Sequence, residues 1–290
     1  MPTVVSTKET LYNVANRVAT ITLNRPDKLN AWTALMESEV RSHMQNAEQD
    51  DDVRVIVLTG AGRGFCAGAD MSLLSAVAKR GPGYQDLDSR DLDDRGREQV
   101  LRDGANRREG VAPDFQKKYS YFPAIGKPVI AAINGPVVGL GLVITLYCDL
   151  RLASDASRFS TTFARRGLIA EYGMAWMLPR IIGIANALDL LFSARTIDAA
   201  EALRIGLVNR VFPQETFLEK VQESAQELAS TVSPRSLRII KRQVYEAMSQ
   251  PLAEAFDISV REMMACFRTE DFKEGVAHFV QKRPAAFTGK

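Results

Sequence analysis

Two short runs of small residues stand where chemistry could be done. The first is Gly64-Phe65-Cys66-Ala67-Gly68-Ala69-Asp70, which follows the apolar run Val53 to Leu58 and a glycine-rich turn. The second is Ile133-Asn134-Gly135-Pro136-Val137-Val138-Gly139-Leu140-Gly141, between the apolar run Pro128 to Ile133 and an apolar stretch reaching Cys148. Small residues let backbone N–H groups approach a ligand closely. A helix start adds donors without partners and a partial positive charge. Two such loops could aim two N–H groups at one developing negative oxygen, an oxyanion hole. Glycine-rich strand-to-helix turns are also built for structural reasons alone, and spacing does not separate the two.

A third candidate is Glu171, in the small and apolar stretch Gly167-Leu168-Ile169-Ala170-Glu171-Tyr172-Gly173-Met174. Taking water from a carboxylate raises its pKa and makes it a usable base near neutral pH. Composition alone fits an exposed loop glutamate equally well. Asp70 reads as a loop-organising residue and Asp149 as structural. Tyr172, Trp176 and Met177 read as packing or pocket wall. Cys66 precedes one of the small-residue turns, but no motif places a histidine to activate it, so a thiol nucleophile is not expected. His43 and His278 read as packing or surface residues.

These candidates need elements to position them. Tyr12 to Val14 and Val18 to Leu23 read as strands of a hairpin joined by Ala15-Asn16-Arg17. Thr33 is a candidate N-cap for a helix running to about Gln49. The runs Val53 to Leu58, Pro128 to Ile133 and Leu150 to Ala153 read as buried strands, and Gly139 to Cys148 as a buried helix. Helical patterns follow over Ala185 to Phe192 and Asp198 to Ile205, then Glu215 to Ala229, Pro234 to Ser249 and Leu252 to Cys266. The organisation expected is an α/β core over 1–211 and a helical part over 212–290. A strongly charged segment at about 79–118 reads as a solvated insertion, long enough to serve as a lid.

Composition narrows the function classes. Of 290 residues, 37 are basic and 35 acidic, a net charge of +2, which offers no argument for nucleic acid or an anionic membrane as partner. Three cysteines, far apart and odd in number, disfavour a disulfide framework and favour a reducing compartment. Two histidines are too few for a structural zinc site. The opening residues lack a signal-peptide layout, and no apolar run reaches about 18 residues without charge, Gly or Pro. A cytoplasmic protein is expected.

The wording of the motifs says more than their spacing. F-C-A-G-A-D over 65–70 and A-I-N-G-x-x-x-G-x-G over 132–141, continuing to Cys148-Asp149, occur in order with two others. These are Leu23-Asn24-Arg25-Pro26-Asp27-Lys28-Leu29-Asn30-Ala31 and Phe279-Val280-Gln281-Lys282-Arg283-Pro284-Ala285-Ala286-Phe287. The chain resembles the enoyl-CoA hydratase/isomerase family, also called the crotonase family, from about residue 10 to 288. The resemblance implies an α/β fold, a crotonase-like spiral of repeated ββα units with a helical C-terminal trimerisation region. It implies an acyl-CoA thioester substrate, with coenzyme A part of the substrate and no separate cofactor or metal, and a homotrimer or hexamer. By position, the N–H groups of Ala67 and Leu140 would form the oxyanion hole. Ala67, Ala69, Asp70 and Met71 would border the adenine end of CoA. Lys28 and Leu29 would lie near its phosphate and pantetheine path. Lys282 would approach the phosphates, from its own or a neighbouring subunit.

Hydratases of the family use two glutamates, and the matching positions here are Val143 and Phe163, neither of which can move a proton. The family's isomerase branches carry an acid at the position of Glu171, and some carry Gly-Leu like Gly139-Leu140. A single carboxylate suffices to move a double bond. The expected activity is double-bond isomerisation of an enoyl-CoA. The alternatives are an enoyl-CoA hydratase with a non-standard acid arrangement and a non-catalytic acyl-CoA binder.

Overall fold

The computed structural model describes residues 3–71, 75 and 112–290. Of the charged segment expected at 79–118, the part 79–111 lies outside the described residues. Strands β1 (Thr3–Ser6), β2 (Thr10–Ala15) and β3 (Val18–Leu23) form an antiparallel meander. The loop between β2 and β3 is two residues long, and Asn16 and Arg17 both take positive φ, 51° and 65°. That hand of turn matches the strand twist. Helix α1 (Ala34–Gln49) starts where Thr33 accepts a hydrogen bond from the Met36 N–H at 3.0 Å, the cap expected from the sequence.

From here the sheet becomes parallel. β4 (Val55–Gly60) pairs with β3, β5 (Val129–Ile133) with β4, β7 (Leu150–Ser154) with β5, and β10 (Arg210–Phe212) with β7. The seven-stranded order is β1-β2-β3-β4-β5-β7-β10. A small second sheet joins β6 (Val137–Val138), β8 (Arg158–Ser160) and β9 (Ile197–Asp198). These short strands carry too few residues to show a period, and the sequence did not announce them. Helix α2 (Leu140–Leu146) is buried on every side, as its unbroken apolar run requires.

The alternation along β4 and β5 explains the layering. Ile56 and Leu58, with Ala131 and Ile133, face the larger core shared with Met36, Val40 and Met44 of α1 and with α2. Val55 and Val57, with Ile130 and Ala132, face the other way. A parallel sheet needs both faces covered. Helix α5 (Phe217–Thr231) covers the second face with Phe217, Val221, Ala225 and Ala229, so the chain beyond residue 212 shares an apolar layer with the sheet.

Helix α3 (Met174–Ser193) is longer than the segment read from Ala185 to Phe192. By length and composition it could span a bilayer. It carries Pro179, Arg180 and Asp189, breaks at Gly183 (φ 77°, ψ 158°), and buries Met174, Met177, Leu178, Ile182, Ala187 and Leu190. It packs as a core helix. The short α4 (Ala199–Arg204), α6 (Pro234–Ala247) and α7 (Leu252–Cys266) fall where the sequence predicts helices. A further helix, α8 (Glu270–Gln281), has no counterpart among the helices read from the sequence and ends inside the terminal motif 279–287.

One buried ion pair ties α6 to the sheet. Lys241 Nζ lies 2.8 Å from Asp149 and donates to the carbonyls of Phe122 and Lys127, both at 3.1 Å. Asp149 also accepts from the Val129 N–H (2.7 Å) and the Tyr245 hydroxyl (3.0 Å), which fits the structural role expected for it. Removing one member of such a pair strands the other charge in the interior. The Lys241→Ala variant is expected to lose about 3 kcal/mol or more of stability, read as a lower midpoint in urea denaturation.

Candidate active site

The two small-residue segments meet at the C-terminal ends of β4 and β5. Cys66 forms a parallel bridge with Val137, and the Val138 N–H donates to the Cys66 carbonyl at 2.9 Å. The Phe65 and Cys66 N–H groups both donate to the Pro136 carbonyl, at 3.1 and 3.2 Å. The approach leaves no room for side chains. A Cβ on Gly135 would stand 2.1 Å from the Arg63 carbonyl oxygen. One on Gly68, whose φ is +95°, would stand 3.0 Å from the Val138 oxygen and 3.7 Å from the Leu140 nitrogen.

Two buried asparagines lock the intervening turn. Asn30 donates to the carbonyls of Ala61 (3.0 Å) and Gly64 (2.8 Å) and accepts from the Arg25 N–H (2.8 Å). Asn134 donates to Gly62 (3.0 Å) and Gly64 (3.4 Å) and accepts from the Gly60 N–H (3.2 Å). Both asparagines lie within the sequence motifs, yet their bracing role is visible only in three dimensions.

The expected donors must be reassigned in part. The Ala67 N–H donates to the Leu29 carbonyl at 2.9 Å, so it is spent within the chain. Ala69 sits differently. It bridges Trp32 in parallel, with the Trp32 N–H donating to Gly68 (2.8 Å) and the Asp70 N–H to Trp32 (3.0 Å). In that pattern the N–H of Ala69 itself turns away from Trp32, and it makes no hydrogen bond among the described residues. Ala69, read from sequence as part of the adenine border, therefore has a donor to offer where Ala67 has none. Leu140 opens α2. The carbonyl four residues back, on Pro136, is taken by Phe65 and Cys66, and the N-cap Gly139 has no side chain, so the Leu140 N–H lacks a helical acceptor.

Glu171 lies on the turn leading into α3. It is half-buried, and its carboxylate has no hydrogen bond or ion pair among the described residues. Burial pushes its carboxyl above the ordinary glutamate value. The turn is held by its backbone: Tyr172 (φ 48°) accepts a hydrogen bond at its carbonyl from the Tyr147 hydroxyl at 2.6 Å. Tyr147 closes the far end of α2 from Leu140. Val143 and Phe163 are buried and apolar, and the Phe163 ring lies 3.9 Å from where a Gly139 Cβ would be. Neither position supplies a second acid.

The remaining candidates divide. Leu29 (φ 47°) contributes its carbonyl to Ala67, and Lys28 is exposed beside it on a 3-10 turn. Asp70 pairs with Arg25 at 2.9 Å, and Met71 is exposed. Lys282 caps the end of α8, exposed, and no contact among the described residues brings it to these loops. Burial pushes the Cys66 thiol up to about 12, so it stays protonated at neutral pH and does not act as a nucleophile. His43 is buried, bonded to Thr10 Oγ1 at 3.0 Å and stacked on Tyr12, a packing residue.

The enoyl-CoA hydratase/isomerase family profile matches residues 13–95 and 90–290 of this chain. The chain belongs to the enoyl-CoA hydratase/isomerase family. It is 32% identical over 288 residues to the 1,2-epoxyphenylacetyl-CoA isomerase of Escherichia coli (strain K12), covering 97% of this chain and 98% of that one. It is 30% identical over 275 residues to the crotonyl-CoA hydratase of Syntrophomonas wolfei, covering 94% and 95%. The crystal structure of an enoyl-CoA hydratase from Bacillus anthracis superimposes with a TM-score of 0.81 at 26% identity, covering 98% of this chain and 100% of that one. The crotonase fold expected from the sequence is thereby shown, and this is an acyl-CoA enzyme of hydratase or isomerase type.

The bracing of the turn gives a test. Asn134→Ala removes three hydrogen bonds from a buried site and should cost about 2 kcal/mol. Calorimetry with an acyl-CoA should show weaker binding in the same variant, since the two loops lose their register.

Proposed function

We propose that this crotonase-family enzyme moves a double bond within an enoyl-CoA, using Glu171 alone as acid and base. The thioester oxygen accepts from the N–H groups of Ala69 and Leu140. Glu171 removes the α-proton of a 3-enoyl thioester. The resulting dienolate places its charge on the oxygen at the two donors, where fixed dipoles stabilise it most. The same carboxyl, now protonated, returns its proton at the γ-carbon and gives the 2-enoyl thioester. Nothing is oxidised or reduced, and Glu171 ends as it began.

The observation that carries this reading is the half-buried Glu171, whose carboxylate has no partner among the described residues, together with the buried apolar side chains at Val143 and Phe163, where an acid pair would stand. Hydration needs one group to activate water and another to protonate the α-carbon. The likeness to a crotonyl-CoA hydratase supports a second reading, hydration with a single acid. Incubation with 2-enoyl-CoA and 3-enoyl-CoA separately distinguishes them. Hydration of the first without conversion of the second would replace isomerisation by hydration.

Lys28, Leu29, Asp70 and Met71 then border the CoA moiety, and Lys282 reaches its phosphates from a neighbouring subunit. Apolar side chains on three helices support that assembly: Ile184 and Phe192 on α3, Ile240 and Val244 on α6, Phe256 and Met264 on α7 are all exposed in the single chain. A trimer, or a dimer of trimers, would cover them. Light scattering at micromolar concentration should report three or six copies, and a stable monomer would contradict the assembly.

Glu171→Gln keeps shape and hydrogen bonding but cannot accept the proton. Turnover of a 3-enoyl-CoA should fall by roughly 10²–10⁴, with CoA-thioester affinity retained. Burial disfavours the ionised carboxyl, so the variant should melt no lower than the wild type. In the wild type the base must be ionised to act. As pH falls, kcat/KM should therefore decline through an acid limb lying above 4.5, the ordinary glutamate value. A limb at or below that value would remove Glu171 from the proton path.

A further inference from the structure

A chain of aromatic rings runs from the donor loop to the turn that carries Glu171. Trp32 is bridged by its backbone to Ala69. Its indole meets the Tyr119 ring edge-on, centroids 6.0 Å apart, and Tyr119 meets Tyr172 edge-on at 5.0 Å. Tyr172 follows Glu171 in the chain. A cavity of about 380 Å³ is lined by the rings of Phe115, Tyr147, Tyr172 and Trp176 and also by Asp114, Lys117 and Lys118. That size suits a small ligand group.

These rings are fixed rather than loose. The Arg180 guanidinium stacks on Trp176 at 3.9 Å. Phe115 is held edge-on by Tyr245 at 5.7 Å. Tyr147 is tied by its hydroxyl to the Tyr172 carbonyl. The Lys118 ammonium lies 5.4 and 6.0 Å from the Tyr119 and Tyr172 ring centres. A wall of held rings treats two kinds of acyl group differently. A flexible alkyl chain gains burial but must give up rotamer freedom. A rigid aryl group gains the same burial and edge-to-face contacts as well, each worth roughly two- to tenfold in affinity.

We infer that the acyl pocket of this enzyme selects an aryl-bearing acyl-CoA over a straight-chain one of similar length, with Phe115, Tyr172 and Trp176 as the specificity-determining wall. The inference rests on the placement of the thioester oxygen at Ala69 and Leu140 proposed above.

Calorimetry with two unreactive thioesters, 3-phenylpropanoyl-CoA and hexanoyl-CoA, tests it without depending on turnover. The wild type should bind the phenyl thioester at least about fivefold more tightly, in line with one or two ring contacts. Trp176→Leu should bring the two affinities together, and Trp176→Phe should restore part of the difference. Phe115→Leu supplies an independent variant should Trp176→Leu fail to fold. Equal wild-type affinities, tighter binding of hexanoyl-CoA, or a preference unchanged in Trp176→Leu or in Phe115→Leu would overturn the inference. Turnover of a straight-chain 3-enoyl-CoA, measured separately, reads the isomerase chemistry. A protein that prefers the phenyl thioester but leaves that substrate unchanged would keep the aryl pocket and lose the isomerase reading. Turnover without a ring preference would do the reverse.

Discussion

The constraint on which this structure depends is the contact between two strand ends. β4 and β5 are neighbours in a parallel sheet, so the segments leaving them emerge side by side from the same edge. Their backbones approach so closely at Arg63 and Gly135 that a single Cβ would collide with a carbonyl oxygen. Close approach of bare backbone leaves many polar groups away from water, and each must find a partner. Most do, through Pro136, Cys66, Asn30 and Asn134. Among the N–H groups without a partner in the described residues are those of Ala69 and Leu140, the ones the proposed chemistry uses.

The second half of the site is built on other terms. Glu171 sits on a turn fixed through its neighbour's carbonyl and Tyr147, and the cost of partly burying a carboxylate without a counter-charge is visible in its raised pKa. Strain of that kind concentrates at functional positions. Buried charges such as Asp149 and Lys241 are paired and hydrogen-bonded, and both faces of the sheet are covered.

Much of this was legible from the residues. The strands β3, β4 and β5 announce themselves as β-rich apolar runs, and α1 by its threonine cap. The motif wording pointed to the fold and the family. What remained hidden was hidden for physical reasons. β6, β8 and β9 are two or three residues long and exist only because other strands pair with them. The choice between Ala67 and Ala69 turns on which N–H the Leu29 carbonyl captures, a long-range contact that no local pattern encodes. Tyr119, with φ of 64°, links Trp32 to Tyr172 across residues far apart in the chain.

The division between backbone and side chain has a consequence for how such a protein changes over generations. In the proposed mechanism Ala69 and Leu140 contribute backbone N–H groups, which every residue type other than proline possesses. Substitution can therefore alter what surrounds the thioester but seldom deletes the grip on it. The proton-handling group proposed, Glu171, is an ordinary side chain, replaceable by one codon. Val143 and Phe163 already stand close to the grip, and each could receive a carboxylate without rebuilding the junction. An ancestor of this architecture could thus trade one reaction for another while never losing hold of its ligand, and the same asymmetry makes those two positions the natural entry points for redesign.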